Sequence, residues 1–217
     1  RSYHIELLEN RLSDNTNHSK LAQFKDTILD DSNFTRIGSG SLGGKARGMA
    51  FLNKNIYNKA LKQKFPSIKI KIPKTIVLST EEFDIFMKKN NLWSIALNCN
   101  DNDILIQHFL KAKLSREVIK SFKIFLSKNI KPLAVRSSGL LEDSQYQSLA
   151  GMYSTFMLPN SSKNDKERLS QVCEAIKRIY ASTFFTGPTT LLAQSIQRHE
   201  EEKMAIIIME MVGKKHE

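Results

Sequence analysis

The sequence predicts an α/β or α+β fold, because strand-like and helix-like segments are interspersed along the chain. The strand signal is clearest in SIKIKIPKTIVLS and MAIIIMEMVG, and the helix signal in SREVIKSFKIFL and KERLSQVCEAIKRIYASTFF. The first two segments are rich in β-branched residues, whereas the other two place apolar residues three and four positions apart. With 217 residues and 41% hydrophobic content, the chain is long enough to bury a core in one large domain or two small ones.

Composition narrows the classes of partner. A formal net charge of +11 would suit nucleic acid, an anionic membrane or a phosphate-rich ligand. The lysines are scattered on the polar sides of amphipathic segments without interleaved aromatic residues, which favours a solvated basic surface and no nucleic-acid partner. We expect no membrane partner, because no apolar run approaches the roughly 20 residues of a membrane span. Cys99 and Cys173 provide no disulfide framework or metal cluster and fit a cytoplasmic location.

The chain starts with a segment rich in Asn, Asp and Ser. Two stretches of it look helical, HIELLENRL and KLAQFKDTIL. We therefore predict a polar lead-in or linker over residues 1–35 and a folded domain over residues 36–217. Because the chain begins with Arg and stops directly after an apolar run, we also expect it to be a piece of a longer protein.

The stretch GSGSLGGKARGMAF, residues 38–51, is typical of a loop that holds phosphate. Glycines let backbone N–H groups approach a ligand, and a following helix start adds partial positive charge. The stretch matches G-x-G-x-x-G, but a dinucleotide site needs a buried strand before it and an acidic residue about 20 positions later. DDSNFTRI looks too polar for that strand, and KQKFPSIKIK offers no acid. The ATP-binding P-loop and the protein-kinase glycine loop fail as well, because Ala46 and Lys45 stand where those motifs need a hydroxyl and a valine.

What remains is a glycine-rich turn that delivers Lys45 into the first turn of a helix, with Gly43 and Gly44 as candidate phosphate contacts. The alternative is an ordinary loop before a surface helix. The helix is expected to end before Pro66. Its apolar face would contain Met49, Phe51, Leu52, Ile56 and Leu61.

The middle of the chain predicts a strand followed by helices. Ile68, Ile70 and Ile72 alternate with basic residues before the segment becomes continuously apolar, as in a strand that passes from the sheet edge to the core. Ser79 and Glu82 form a capping-box pattern at the start of the next helix. A later helix is predicted to share one apolar face among Val118, Ile119, Phe122, Phe125 and Leu126.

PLAVRSSGLLEDS predicts a short strand that runs into a Ser-Ser-Gly turn. Arg136 at the strand end would bind phosphate through two parallel hydrogen bonds, with Ser137 and Ser138 beside it. The alternative is an ion pair between Arg136 and Glu142 or Asp143 that closes the turn.

Three features follow toward the end of the chain. LAGMYSTF predicts a loop with Gly151 as its flexible point, and MAIIIMEMVG predicts a central strand with Glu210 near its end. A carboxylate in water at a partly exposed strand end is the plain alternative for Glu210. A helix is predicted between them, with one stripe formed by Leu169, Val172, Cys173, Ile176, Ile179 and Tyr180.

Four segments in this order resemble the nucleotide-binding domain of phosphoenolpyruvate synthase and pyruvate, phosphate dikinase. They are GGKARGMAFLNK, IPKTIVLSTEEFDIFM, PLAVRSSGLLEDSQYQSLAGMYSTF and MAIIIMEMV, and the resemblance covers roughly Gly38 to Val212. The resemblance implies an ATP-grasp-like fold, truncated at its C-terminus, in which two α/β subdomains clamp ATP.

The same resemblance assigns roles to residues. Lys45 is similar to the lysine that reaches the nucleotide phosphates, and Arg136 to the arginine beside the transferable phosphate. One segment is similar to the loop that closes over the phosphates in the family; it consists of Gly151, Met152, Tyr153, Ser154 and Thr155. Another segment is similar to the hinge strand whose backbone contacts adenine; it consists of Met209, Glu210, Met211 and Val212. The family usually has glutamine where this chain has Met209.

The resemblance also implies a function. ATP would phosphorylate a histidine in a separate phosphocarrier domain, for transfer to pyruvate or another small acceptor held by a further domain. Mg²⁺ would bridge the phosphates, with its ligands expected beyond the end of this chain, so the chain alone is expected to be inactive. The alternatives are a related dikinase or phosphotransferase with a different acceptor, and a catalytically inactive regulatory module on the same fold.

Overall fold

The computed structural model describes residues 22–23, 33–56, 63–68, 71–139, 151, 153–186 and 203–213. Strands and helices alternate in this part of the chain. The strands are β1 (Ala22–Gln23), β2 (Phe34–Ile37), β3 (Thr75–Leu78), β4 (Leu133–Gly139), β5 (Thr155–Leu158) and β6 (Met204–Glu210). The helices are α1 (Gly43–Ile56), α2 (Thr80–Lys89), α3 (Trp93–Asn98), α4 (Asn102–Lys111), α5 (Arg116–Lys128) and α6 (Asp165–Ser182).

All six strands form one sheet in the order β1-β2-β3-β6-β4-β5. β1, β2 and β3 are parallel, whereas β6 is antiparallel to both of its neighbours, β3 and β4. β4 therefore runs in the same direction as β2 and β3, and these three strands end at the same edge of the sheet, which we call the C-terminal edge. The mixed α/β class and the central position of the last strand are as predicted.

One face of the sheet, the core face, carries the main hydrophobic core. Leu133, Val135, Ile206 and Ile208 project from β4 and β6 into a cluster that also includes buried residues of α2 to α6. Aromatic rings fill its middle: the Phe83 ring lies 5.1 Å from the Tyr180 ring and 6.2 Å from the Phe184 ring, measured between centroids. Residues alternate between the two faces of a strand, so the intervening residues of β4 and β6 face the other way.

The opposite face, the α1 face, has a much smaller core. Its fully buried apolar residues are Phe34, Leu42, Ala46, Val77 and Ile207. Met49 and Ala50 of α1 and Met209 of β6 pack against this cluster. Among the described helices, α1 alone contributes to it.

The later helices agree with their predicted apolar faces. Val118, Phe122, Phe125 and Leu126 are buried in α5, and the stripe of α6 is buried or half-buried throughout. The capping box at Ser79 is wrong in its side-chain part: Ser79 is the N-cap of α2 but its hydroxyl accepts no capping bond. The Glu82 carboxylate instead accepts a 2.9 Å hydrogen bond from the Ser115 hydroxyl.

Two predictions near the start of the chain are also wrong. Ala22–Gln23, inside the segment predicted as a helix, forms β1 and pairs with β2. FTRI, judged too polar for a buried strand, forms β2 directly before the glycines, with Phe34 and Ile37 buried on opposite faces of the sheet. The buried strand that a dinucleotide site requires before its glycines is therefore present, whereas the acidic residue that it requires is not. Residues 1–21 and 24–32 lie outside the described part, and the boundary at residue 36 stays a prediction.

The apolar face of α1 differs from the predicted one. Phe51 and Leu52 are 59% and 55% exposed. Ala46 is fully buried instead, which lets α1 approach the sheet closely. Ile56 ends the described helix, and residues 57–62, including Leu61, lie outside the described part.

Two strand boundaries also differ. β3 begins only at Thr75; Ile68 is exposed, residues 71–74 are irregular and Ile70 is outside the described residues. In contrast, β4 extends further than predicted, because Ser137, Ser138 and Gly139 continue the strand and pair with β6. The Ser-Ser-Gly turn is therefore a segment of strand.

Candidate functional site

The glycine-rich turn, residues 38–44, brings the start of α1 against the end of β4. Gly43 has φ +71° and faces the Ser138 backbone so closely that a Cβ atom there would lie 1.7 Å from the Ser138 carbonyl oxygen. Only glycine fits a position that requires both a left-handed backbone and this contact. The sequence therefore fixes the first turn of α1 on the C-terminal edge of the sheet.

The Ser138 hydroxyl strengthens this junction. It donates a 2.8 Å hydrogen bond to the Leu42 carbonyl and accepts a 3.0 Å bond from the Ala46 N–H, and both bonds are buried. Lys45, the residue before Ala46, is half-buried in the first turn of α1, as predicted from the sequence. Ser138 was predicted as a phosphate contact, but its hydroxyl is used to hold α1.

Arg136 lies on the same face of the sheet as α1. It pairs with Ile207, a member of the α1-face cluster, and with Thr155 on the other side. Directly paired residues of neighbouring strands point to the same face, so Arg136, Ser138 and the start of α1 share the α1 face. Ser137 points to the opposite face. Glu142 and Asp143, the alternative partners of Arg136, lie outside the described residues.

Beside Arg136, the α1 face of β4 and β5 is partly open to solvent. We call this part the β4–β5 strip; it consists of Ala134, Arg136, Thr155 and Met157. Thr155 is exposed and Met157 is 59% exposed, whereas Arg136 is half-buried and Ala134 is buried. This strip offers a surface bordered by α1 on one side, with the positive charge of Arg136 at the end nearer the start of α1.

The predicted hinge residues lie at the other end of the strip. Met209 pairs with Ala134, and four residues of extended strand, about 13 Å, separate this point from Ser138. The Glu210 N–H donates to the Lys74 carbonyl at 2.9 Å and the Met211 N–H donates to the Pro132 carbonyl at 2.8 Å. These two N–H groups are therefore already paired within the protein, while Met211 and Val212 have exposed side chains.

The Glu210 side chain is buried. The alternative prediction of a carboxylate in water at a partly exposed strand end is therefore wrong. The residue is 8% exposed, and its carboxylate accepts a 3.3 Å hydrogen bond from the Lys131 ammonium group. A buried carboxylate is costly unless it is paired, so Lys131 accounts for its position.

The predicted closing loop is partly anchored. Tyr153 is buried in the core-face cluster, the Ser154 N–H donates to the Ser182 hydroxyl at 3.4 Å, and Thr155 begins β5. Gly151 is exposed with φ +80°, and Met152 lies outside the described residues. Tyr153, Ser154 and Thr155 thus form a fixed base for the loop.

Sequence reasoning missed the contacts between the glycine-rich turn and the start of α2. The Ser39 N–H donates to the Glu81 carboxylate, and the Ser41 N–H donates to the Thr80 hydroxyl at 3.1 Å. The hydrogen bond from Ser39, with a smaller contribution from the Arg36 charge, holds the pKa of Glu81 below its usual value. The sequence signal for these contacts was the acidic pair Glu81 and Glu82 in the first turn of the helix that follows β3.

These contacts limit which donors of the turn remain for a ligand. The N–H groups of Ser39 and Ser41 are paired with α2, and the Gly43 N–H donates to the Ser41 hydroxyl at 3.2 Å. The glycine-rich turn therefore holds α1 in place, and these three N–H groups do not bind a ligand. A bound anion would face the side chains of Lys45 and Arg136 and the backbone near Gly44.

The described residues include no group of three or more His, Cys, Asp or Glu side chains placed to hold a metal ion. In the same part, every helix is too short or too polar to cross a membrane.

The sequence around the site is similar to that of a known protein family. The family model described as pyruvate phosphate dikinase, AMP/ATP-binding domain, matches residues 39–216. Among curated proteins, no match was found. The matched range contains residues 39–44 of the glycine-rich turn, Arg136 and β6, so it covers the candidate site except for Gly38.

Proposed function

Since the chain belongs to the family of the AMP/ATP-binding domain of pyruvate phosphate dikinase, we propose that it binds ATP along the β4–β5 strip, with the phosphates beside Lys45 and Arg136. Membership makes the chain a nucleotide-binding module of a family of phosphotransferases. The location of the nucleotide and the roles of single residues are our proposal.

The close contact between Gly43 and Ser138 carries this proposal. It holds the first turn of α1, with its partial positive charge and Lys45, on the sheet face that carries Arg136. A lysine, an arginine and a helix start on one face form an arrangement suited to phosphate. Gly43 contributes by letting α1 approach β4 closely, and Gly44 by leaving the backbone of the first turn open to a ligand.

The nucleotide would lie along the strip. Its phosphates would occupy the end near Arg136 and the α1 start, while adenine would occupy the end near Met209 and Val212. The length available to the nucleotide along β4, from Ala134 to Ser138 beside the start of α1, is about 13 Å. With the Glu210 and Met211 N–H groups already paired, adenine contacts are left to the Val212 backbone and to the carbonyls of the hinge.

Within the larger enzyme, we propose that ATP donates a phosphoryl group to a histidine of a separate domain, for delivery to pyruvate or another small acceptor. Lys45 and Arg136 would stabilise the negative charge on the transferring phosphoryl oxygens without forming covalent bonds. Mg²⁺, when bound, would neutralise phosphate charge, and its ligands are expected outside the described residues.

Calorimetric titration with a non-hydrolysable ATP analogue and magnesium tests the proposal. We compare the wild-type chain with Lys45→Ala and Arg136→Ala. Each substitution removes a charge-assisted contact to phosphate, so each should weaken binding by about tenfold or more. Circular dichroism spectra should stay the same, since both side chains are only half-buried.

Matched controls are Lys123→Ala and Arg116→Ala, which remove exposed cations from α5 on the other side of the sheet. Binding that is equally weakened by these controls would indicate nonspecific attraction to the basic surface. Tight binding that survives Lys45→Ala and Arg136→Ala would place the phosphates elsewhere. A folded chain that transfers no phosphate within its full-length protein, yet binds ATP, would favour the regulatory alternative.

A further inference from the structure

We propose that Thr80 and Glu81 are positioning residues, which hold the glycine-rich turn against α2 and thereby place Lys45 for nucleotide binding. This inference rests on the nucleotide site proposed above. It concerns residues that have no place in the phosphate contacts themselves, because they act through the turn.

The turn fits closely onto the start of α2. The Ser39 N–H donates to the Glu81 carboxylate at 2.5 Å, and the Ser41 N–H and carbonyl bond to the Thr80 hydroxyl and N–H at 3.1 and 2.9 Å. Gly40 has φ +86°, and a Cβ atom there would lie 3.0 Å from the Thr80 hydroxyl. The backbone of the turn is therefore shaped around the first residues of α2.

A continuous set of bonds then leads from α2 to Lys45. Ser41 is bonded through its backbone to Thr80, and its hydroxyl accepts the N–H of Gly43, the first residue of α1. Lys45 follows in the same helical turn. A shift of Ser41 relative to α2 would therefore move the helix start that carries Lys45.

Glu81 contributes charge at an exposed position. Its carboxylate lies at the turn near the Arg36 side chain of β2, and its neighbour Glu82 points inward to Ser115. An exposed side chain contributes little to the hydrophobic core, so replacing Glu81 should loosen the turn while leaving the fold intact. A loss of nucleotide binding in a Glu81 variant that is still folded would therefore report the position of the turn.

The test compares Glu81→Gln and Thr80→Val with wild type by titration with the ATP analogue and magnesium. The control is Glu167→Gln, which changes an exposed glutamate in the first turn of α6 that accepts a 2.7 Å bond from the Ser162 hydroxyl. We expect each test substitution to weaken binding by about three- to tenfold, and the control to leave it unchanged. In a Lys45→Ala background, Glu81→Gln should have almost no further effect, because Glu81 acts through Lys45.

A second measurement needs no nucleotide. The NMR shift of the Ser39 amide should follow the titration of Glu81, with a midpoint below the usual value for glutamate, and should lose this dependence in Glu81→Gln. Binding by Glu81→Gln as tight as wild type, or equal losses with and without Lys45, would overturn the inference. If the wild-type chain binds no nucleotide, the proposed function fails instead. If, in addition, the Ser39 amide shift does not follow the titration of Glu81, the proposed contact between Glu81 and the glycine-rich turn is refuted as well.

Discussion

The two faces of the sheet differ in how they are covered. Within the described part of the chain, the core face lies under five helices and a dense group of aromatic rings, whereas the α1 face is covered by one helix over a few buried apolar residues. The residues predicted to contact phosphate, Lys45 and Arg136, lie on the thinly covered face. Among the described residues, the α1 face has exposed sheet residues such as Thr155 and Met157 beside Arg136, while the core face contributes most of the buried apolar side chains.

The largest effect is expected on the core face, from Phe83→Ala. Phe83 is fully buried and contacts the rings of Trp93, Tyr180 and Phe184. Its truncation should lower the free energy of unfolding by about 3–5 kcal/mol, measured by urea denaturation. Where the variant is still folded, its affinity for the ATP analogue should match wild type. A loss of affinity without a loss of stability would contradict the separation of the two faces.

A smaller loss of stability is expected on the α1 face, from Gly43→Ala. The new Cβ atom would meet the Ser138 carbonyl, and φ +71° is strained for alanine, so α1 must move away from β4. We expect about 2–4 kcal/mol of destabilisation and loss of nucleotide binding. Gly48→Ala is the matched control, because a Cβ atom at Gly48 meets nothing within 4 Å. Equal behaviour of the two variants would show that the Gly43 contact does not set the site.

The smallest effect concerns pH and Glu82, which lies below the turn on the core side. Burial raises the pKa of Glu82 above its usual 4.5, although the hydrogen bond from Ser115 opposes this. Between the ordinary pKa of the unfolded state and the raised pKa of the folded state, the folded protein binds more protons than the unfolded protein. The free energy of unfolding therefore falls as pH rises through that window. Glu82→Gln should reduce this slope. Urea denaturation at a series of pH values checks it, and an unchanged slope would assign the dependence to other groups.

The parts of the fold that could be predicted are those in which one face of an element dominates. The stripes of α5 and α6 repeat with helical period, and β6 is continuously apolar because it is buried on both faces. The four segments that resemble the family were sufficient to name it, and the family model confirmed that prediction.

The wrong predictions share a physical cause, since each depended on a neighbour that is distant in sequence. β2 has one large apolar residue on each face, so FTRI shows no alternation, and only its place beside β3 reveals it as a strand. β4 continues through Ser137 to Gly139 because β6 pairs with these residues. On α1, close packing of Ala46 on the sheet decides the buried side, and large residues such as Phe51 point away.

The candidate site was predicted at the level of residue types but not of contacts. Lys45 in a helix start and Arg136 in a strand followed from local sequence. The bonds of Ser138 to α1 and of Thr80 and Glu81 to the turn could not be predicted, because each joins residues about 40 or more positions apart.

The strand order has a consequence for how the chain is made. β6, the last of the described strands in sequence, lies inside the sheet between β3 and β4. During synthesis from the N-terminus, β1, β2 and β3 can associate, and so can β4 and β5, yet the two groups cannot join until β6 leaves the ribosome. Until then β3 and β4 each carry an unpaired edge, which is a template for pairing with another chain. Chaperone dependence of nascent chains that end before Met204 would be the visible sign of this late closure.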